Sequence, residues 1–102
     1  MMWVLKAAGS EENGGGMVFR LTDGSIKTVG RATRADFIVD APLVSRVHCR
    51  LTADRSGQLV VEDLDSTNGT RLNGERVTRA IAKAGDELGI GEVTLTVERH
   101  SR

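Results

Sequence analysis

The sequence has few of the residues that build metal sites or disulfide frameworks. Cys49 is the one cysteine, and His48 and His100 are the two histidines among 102 residues. A single thiol cannot form an internal disulfide, and these side chains are too few for the ligand set of a zinc site. We therefore expect no metal and no cofactor, and we interpret Cys49 as a small core residue.

Net charge and aromatic residues are also lacking, which argues against two classes of partner. Lys plus Arg and Asp plus Glu both total 14, which gives a formal net charge of zero, and aromatic residues make up only 3%. A neutral chain has no global field that attracts DNA, RNA or an anionic membrane, and few aromatics leave little surface on which bases can stack. We expect neither nucleic acid nor membrane as a partner, so any anion site must be local.

Long apolar runs are absent too. No run approaches the ~20 residues that span a bilayer, and the N-terminus lacks the basic start and apolar stretch of a signal peptide. These features favour a cytoplasmic location. The 39% of hydrophobic residues is enough to build a core, and 102 residues fit one domain, so we expect a single domain over residues 1–102.

Short alternating apolar runs separated by turn residues predict an all-β fold. In three segments every second residue is predicted to face the core and the residues between them to face solvent. The predicted core residues are Trp3 and Leu5, with Val4 and Lys6 toward solvent; Val47, Cys49 and Leu51, with His48, Arg50 and Thr52 toward solvent; and Val93, Leu95 and Val97. Further segments of strand length are MVFRL (17–21), IKTVG (26–30), DFIV (36–39), QLVVEDL (58–64) and DELGI (86–90). Tight turns are indicated by X-Gly dipeptides at 23–24, 56–57, 68–69 and 73–74. This pattern predicts a β-sandwich.

Two segments fit the alternation less well. GSEENGGG (9–16) is rich in glycine and acids, which predicts a mobile loop between the first two strands. TRAIAKAGDEL (78–88) has the alanines of a helix, but Gly85-Asp86 interrupts it, and its length is marginal for a helix. We predict an irregular strand and turn there.

Ser45 and His48, in LVSRVH (43–48), raise the question of a nucleophile with its base. A hydrolase also needs a group that orients the base and donors for an oxyanion, and the sequence has no Gly-x-Ser-x-Gly elbow. Residues three apart at a strand entrance point to opposite faces once the strand is extended. The favoured interpretation is that Ser45 begins a strand and His48 packs beside it; a hydrolase is the minor alternative.

Two other polar elements can bind anions. Gly30-Arg31 closes a predicted strand, where glycine permits close approach of another chain and the arginine fork can grip a phosphate or carboxylate. DLDSTNGT (63–70) ends another strand in side chains that bond to backbone, although a plain polar hairpin turn would look the same.

In order and spacing, these elements resemble the forkhead-associated (FHA) domain family. The matching residues are Gly30-Arg31, Ser45-Arg46-Val47-His48, Ser66-Thr67-Asn68-Gly69-Thr70 and Asn73-Gly74. The resemblance extends from about residue 17 to residue 97. It implies a β-sandwich of about eleven strands with binding loops at one end. It also implies binding of phosphothreonine in extended peptides without catalysis, so the partner would be a protein or peptide phosphorylated by a Ser/Thr kinase.

The resemblance also implies roles for individual residues. Arg31 and Ser45 would contact the phosphate, and Arg46 would support that contact or reach the peptide. Thr67 would bond the phosphate, and Asn68 would bond the ligand backbone. A phosphomonoester carries about −1.5 to −2 charge and three acceptor oxygens, which a guanidinium and hydroxyl donors can satisfy. Relatives place the threonine methyl group in a small apolar pocket.

The remaining motif residues are implied to be structural. The His48 ring would tie the binding loops together away from the phosphate. Gly30 and Gly69 would permit backbone conformations that other residues cannot adopt, and Asn73-Gly74 would form a further hairpin.

Three alternatives stay open at this point. Arg46 either strengthens phosphate binding or pairs with an acid such as Asp65. In many relatives the loop before the last strand, here Gly89-Ile90-Gly91, selects the ligand residue three after the phosphothreonine, and Ile90 suggests an apolar or weak preference. Finally, the fold alone would also suit a phospho-independent interaction or oligomerisation module.

Overall fold

The computed structural model describes residues 1–7 and 17–101, and this part of the chain is all-β without a helix. Its eleven strands are β1 (Met2–Ala7), β2 (Val18–Thr22), β3 (Ser25–Gly30), β4 (Phe37–Ile38), β5 (Cys49–Ala53), β6 (Leu59–Asp63), β7 (Thr70–Leu72), β8 (Glu75–Val77), β9 (Arg79–Ala82), β10 (Glu87–Ile90) and β11 (Val93–His100). The predicted fold class and strand number are confirmed. The loop predicted at 9–16 lies outside the described residues. Across 1–7 and 17–101, no helix is long and apolar enough to cross a membrane.

The strands form two sheets with the core between them. The first sheet has six strands in the order β2-β1-β11-β10-β7-β8, and the second has five in the order β4-β3-β5-β6-β9. Every pairing is antiparallel except the short parallel pair of β3 and β4. Because strands alternate in direction, the segments 31–36, 39–48, 64–69 and 91–92 all come to one end of the sandwich. This end carries the sequence motifs apart from Asn73-Gly74, which lies at the other end of β7 beside the start of β10.

Alternation explains most of the core. The fully buried leucines and valines come from both sheets: Leu5, Leu88, Leu95 and Val97 from the first, and Val29, Leu51, Leu59 and Val61 from the second. Each such side chain stabilises the fold by about 1.5–3 kcal/mol when it is removed from water.

Val4 departs from the pattern: it was predicted to face solvent but is 2% exposed. It lies in register between Arg20 of β2 and Glu98 of β11, two long side chains that flank it on the outer face of the sheet.

The alternation predicted for residues 47–52 is wrong at its first two positions. Val47 is 49% exposed and His48 is completely buried, the reverse of the expectation, whereas Cys49 and Leu51 are buried as predicted. The chain bends at Arg46 and Val47, and β5 begins only at Cys49. The period of two applies only to extended backbone, so the bend reverses the side-chain direction before the strand starts.

The segment 78–88 is a strand and a turn, as predicted, with β9 ending at Ala82 and β10 beginning at Glu87. Gly85 has a φ of +94°, and the Asp86 carboxylate accepts the Lys83 amide at 2.8 Å. These features close the turn locally, so the alanines cannot continue as a helix.

The Asn73-Gly74 hairpin joins β7 to β8. Both residues have positive φ, 54° and 86°, which suits a two-residue hairpin turn. The Asn73 side chain also accepts the Glu87 amide at 2.9 Å and donates to Asp86 at 3.1 Å. The turn is thereby tied to the start of β10, which fixes the β7–β8 hairpin at the edge of the six-stranded sheet.

Candidate functional site

A shallow cavity of about 300 Å³ opens at the end of the sandwich where the motifs meet. Its lining consists of Arg31, Pro42, Leu43, Val44, Ser45, Arg46, Thr67 and Asn68. The structure therefore brings together all five residues that were predicted to contact phosphate or peptide. They come from three separate segments, so the pocket exists only in the folded chain.

Gly30 sets the distance between two of these segments. A Cβ atom built on Gly30 would overlap the carbonyl oxygen of Arg46, so no larger residue fits. The backbones run side by side here: the Arg31 amide donates to the Ser45 carbonyl at 2.9 Å, and the Ala32 amide donates to the Arg46 carbonyl at 3.1 Å. Glycine at this position allows the loop that carries Ser45 to lie directly against the end of β3.

The Arg31 guanidinium is held at one nitrogen and open at the others. Its Nε donates to the Val44 carbonyl at 3.0 Å, and within residues 1–7 and 17–101 no other hydrogen bond or ion pair engages the group. The bond at Nε orients the planar fork, while both terminal nitrogens remain available to a ligand. An oriented guanidinium can donate two parallel hydrogen bonds to a phosphate or carboxylate.

Ser45 links the two loops that form the pocket walls. Its Oγ accepts the Thr67 amide at 2.9 Å, which leaves the hydroxyl hydrogen free to donate toward the pocket. Asn68 makes a second link, because its Nδ2 donates to the Leu43 carbonyl at 3.1 Å. The donors on both walls are thus held in place before a ligand arrives.

His48 makes a third link and uses both ring nitrogens to do so. Its Nδ1 lies 3.0 Å from the Ser45 amide and its Nε2 lies 2.8 Å from the Gly69 carbonyl. A backbone amide can only donate and a carbonyl can only accept, so Nδ1 is the acceptor and Nε2 carries the hydrogen. No lone pair is left for the Ser45 hydroxyl. The ring is placed to tie loops together and not to act as a base.

Asp63 and Ser66 shape the loop 64–69, and sequence reasoning did not single them out as site residues. One Asp63 oxygen accepts the Ser66 hydroxyl at 2.5 Å and the Thr70 hydroxyl at 2.7 Å, and the other accepts the Ser66 amide at 3.1 Å. The Ser66 hydroxyl in turn accepts the Gly69 amide at 2.9 Å. The sequence signal that could have identified them is the spacing Asp-x-x-Ser-x-x-x-Thr, because short polar side chains hydrogen-bond to backbone groups near them in the chain.

Asp63 is ionised in this network. Partial burial by itself would raise the pKa of its carboxyl, but the hydrogen bonds from Ser66 and Thr70 outweigh burial and lower the pKa below its ordinary value. A carboxylate can accept all of these bonds at once, so the charged form holds the loop in shape.

The structure bears on two expectations about neighbouring residues. Arg46 forms no ion pair within 4.0 Å in the described residues, so its suggested partner Asp65 does not neutralise it. Ile90, which motivated the expected apolar or weak preference, is a fully buried residue of β10, so its side chain does not face a ligand and the preference itself stays a prediction. Gly91 instead lies against the pocket loop, where its Cβ would stand 2.8 Å from the Leu43 carbonyl. Leu43, 40% exposed, lines the pocket and is an apolar side chain that a ligand can meet.

Cys49 and the acidic residues offer little for other chemistry. Burial, with a smaller contribution from the nearby Asp63, raises the pKa of the Cys49 thiol to about 12, so the thiol is neutral and shielded from solvent. In the described ranges, no three His, Cys, Asp or Glu side chains are placed to hold a metal ion. The pocket therefore presents hydrogen-bond donors and positive charge, an arrangement that accepts an anion with several oxygens.

Two packed sheets whose loops form an arginine-lined pocket at one end define a β-sandwich binding module. The chain belongs to the FHA domain family, whose model, "FHA domain", matches residues 27–91.

The chain is similar to curated bacterial proteins, among them a metabolic regulator. It is 36% identical over 75 residues to the glycogen accumulation regulator GarA of Mycobacterium tuberculosis. The aligned part covers 74% of this chain and 46% of GarA, so the chain spans less than half the length of that relative.

Solved structures are similar over the whole chain. An FHA domain solved in a structural and functional analysis of phosphothreonine-dependent FHA domain interactions has a TM-score of 0.85 at 27% identity, and all of both chains is covered. An FHA domain of Chlamydia trachomatis has a TM-score of 0.90 at 21% identity, covers 99% of this chain and is itself fully covered; it supports the fold.

Proposed function

We propose that this chain is a phosphothreonine-dependent binding module that docks partners phosphorylated by a Ser/Thr kinase. The observation that carries the proposal is the open guanidinium of Arg31, anchored through Nε to the Val44 carbonyl beside the free hydroxyl hydrogen of Ser45. A phosphomonoester needs positive charge and several donors, and this corner of the pocket supplies both. The similarity to a domain solved for its phosphothreonine-dependent interactions supports the same assignment.

In this proposal each pocket residue has a role that its position supports. The terminal nitrogens of Arg31 and the Ser45 hydroxyl donate to phosphate oxygens. Arg46, exposed and without an ion-pair partner in the described residues, adds positive charge at the mouth of the pocket. Thr67 supplies a further hydroxyl on the opposite wall.

Asn68 binds the backbone of the ligand in this proposal. Its amide nitrogen donates to the Leu43 carbonyl in the free protein, and its Oδ1 has no partner among the described residues. The side chain can therefore accept a peptide N–H at once, and it can donate to a peptide carbonyl if it releases Leu43. Such a contact holds an extended peptide without reading its sequence.

The mechanism is binding without catalysis. A kinase modifies the partner, and this domain captures the product, so phosphorylation is converted into association. The His48 ring has no free nitrogen that could activate Ser45, and the Cys49 thiol is buried and neutral, which supports the non-enzymatic role. A cytoplasmic location stays a prediction.

The test is titration with matched peptides. An oriented phosphothreonine peptide library selects a binding sequence, and the selected peptide is then compared with its unphosphorylated form by calorimetry. We expect strong phosphate dependence, and we expect Arg31→Ala to weaken phosphopeptide binding by about 10- to 100-fold, since a hydrogen bond to a charged group contributes about 1.5–3 kcal/mol. Arg34→Ala is the matched control, because Arg34 is exposed on the same segment and does not line the pocket.

Equal binding of both peptide forms would support the alternative, a phospho-independent interaction or oligomerisation module. Unchanged affinity of Arg31→Ala for the phosphopeptide would contradict the assigned role of this arginine even if binding depended on phosphate.

A further inference from the structure

Arg71 and Arg76 stand directly opposite each other on the β7–β8 hairpin. Both are exposed on the outer face of the six-stranded sheet, and neither forms an ion pair within 4.0 Å anywhere in residues 1–7 and 17–101. Like charges directly across an antiparallel pair destabilise a sheet. The free domain thus maintains an uncompensated pair of positive charges at this position.

The pair adjoins the proposed peptide-binding loop. A Cβ atom built on Gly69 would lie 2.6 Å from Nε and 2.9 Å from Cζ of Arg76, so the Arg76 guanidinium packs directly on the backbone of Gly69. Gly69 follows Asn68, the residue proposed to bond the ligand backbone, and its carbonyl is fixed by His48. A peptide held by Asn68 therefore passes close to Arg76.

The surface beside the pair is not covered by a side chain of β10. In register across the sheet, Arg71 lies next to Gly89 of β10, which lies next to Thr94 of β11. Gly89 has no side chain, and a Cβ atom built on it would lie 3.4 Å from the Arg71 Cβ, so Arg71 borders bare backbone on this side of the outer face. The acids in neighbouring positions are Glu75 on β8 and Glu87 on β10, and neither comes within 4.0 Å of Arg71 or Arg76.

We propose that Arg71 and Arg76 form a second anion site that binds an acidic or phosphorylated residue flanking the phosphothreonine of the ligand. The proposal rests on the proposed function and adds a preference to it. Two arginines at directly opposite positions of a hairpin can share one carboxylate or phosphate, and the bound anion relieves their mutual repulsion. The β7–β8 hairpin, which follows the loop 64–69, supplies this preference for a flanking anion. It lies outside the pocket that binds the phosphothreonine itself.

The experiment compares three sets of phosphothreonine peptides by calorimetry. One set has alanine at all flanking positions, the second has a single glutamate moved along the flanks, and the third has a phosphoserine in place of the glutamate. Each set is measured with the unaltered chain and with the double variant Arg71→Gln, Arg76→Gln. The double variant Arg20→Gln, Arg34→Gln is the charge-matched control, because both arginines are exposed and lie outside the pocket and the hairpin.

The measured quantity is the ratio of the affinity for an anionic peptide to that for the alanine peptide. With the unaltered chain we expect a ratio of about 2 to 5 at the best flanking position, which is typical of exposed charge pairs, and a larger ratio for phosphoserine than for glutamate. The ratio should fall to about 1 in the Arg71→Gln, Arg76→Gln variant and persist in the control, and it should shrink as salt is raised. Thermal unfolding should show that the hairpin variant is as stable as the unaltered chain or more stable, since a repulsion is removed.

Different results contradict different statements. If no flanking anion improved binding to the unaltered chain, or if the improvement survived in the hairpin variant, the second anion site would be wrong while phosphothreonine binding stood. If the alanine-flanked phosphopeptide bound no better than its unphosphorylated form, the proposed function itself would be wrong.

Discussion

The His48 imidazole joins the two loops of the binding pocket, because it accepts the Ser45 amide at Nδ1 and donates from Nε2 to the Gly69 carbonyl. The ring is completely buried, and its bond to the Gly69 carbonyl is buried with it. A side chain that bonds a donor and an acceptor on separate loops fixes the distance between those loops. This geometry accounts for a histidine in the binding motif that does not face the ligand.

Replacement of His48 by alanine should therefore destabilise the domain. The change leaves the Ser45 amide and the Gly69 carbonyl unsatisfied and opens a cavity, so we expect a loss of about 2–5 kcal/mol in the free energy of unfolding. Urea denaturation measures this loss. His100→Ala is the matched control, because His100 lies at the partly exposed end of β11 and its ring bonds the neighbouring Glu98 and no separate loop of the described chain. An equal effect of the two substitutions would contradict the structural role of His48.

Gly30→Ala should separate the segments that carry Arg31 and Ser45. The added Cβ would overlap the Arg46 carbonyl oxygen, which is backbone and cannot rotate away. We expect a loss of about 1–3 kcal/mol in stability, as for other overpacked sites, together with weaker phosphopeptide binding, because the pocket loop must shift. Gly89→Ala tests a strand glycine without such a clash, since its Cβ would meet nothing nearer than 3.4 Å. If Gly30→Ala were as stable as Gly89→Ala, the close approach would not matter.

The Asp63 network should make stability fall in acid. The pKa of Asp63 is lower in the folded chain than in the unfolded chain, because hydrogen bonds from Ser66 and Thr70 outweigh the effect of burial. Its contribution is fully present above the unfolded pKa of about 3.9 and is lost as pH falls through the folded pKa. Urea denaturation at a series of pH values between about 6 and 2.5 should show this loss.

Asp63→Asn should flatten that acid dependence, because asparagine has no carboxyl to protonate. The variant should also be less stable at pH 7, since an amide offers one acceptor oxygen where the carboxylate offers two. Asp40→Asn is the control, as Asp40 is exposed and forms no ion pair among the described residues. An unchanged slope in Asp63→Asn would mean that other carboxyls, such as Asp23 beside Arg99, control acid stability.

Phosphothreonine should bind more tightly than phosphoserine in the same peptide. The family resemblance implies a small apolar pocket for the threonine methyl group, and one methyl group contributes about 0.8 kcal/mol, or roughly fourfold in affinity. Calorimetry with paired peptides measures the ratio. Equal affinities would contradict the methyl pocket, whereas a much larger ratio would require a geometric cause.

Aspartate in place of phosphothreonine should bind poorly, because it carries less charge and fewer oxygens.

The sequence by itself determined the fold class and the membership of the pocket. Alternating apolar residues and X-Gly dipeptides such as Asn73-Gly74 encode strands and turns locally, so the all-β sandwich could be predicted. The ordered motif around Arg31, Ser45 and Asn68 predicted which residues would line one site. Both kinds of signal depend on residues that are close in sequence or on the order of residue types along the chain, and both can be seen without a structure.

Only the tertiary structure decided which way particular side chains point. The bend at Arg46 and Val47 turned His48 into the interior, and the register of β10 placed Ile90 in the core and not at the ligand. Asp63 holds the loop 64–69 because the Ser66 hydroxyl donates to its carboxylate. Arg71 lies opposite Arg76 only because of the register between β7 and β8. Side-chain direction in a strand reverses with a single-residue shift, and long-range pairing fixes that shift, so no local pattern could settle it.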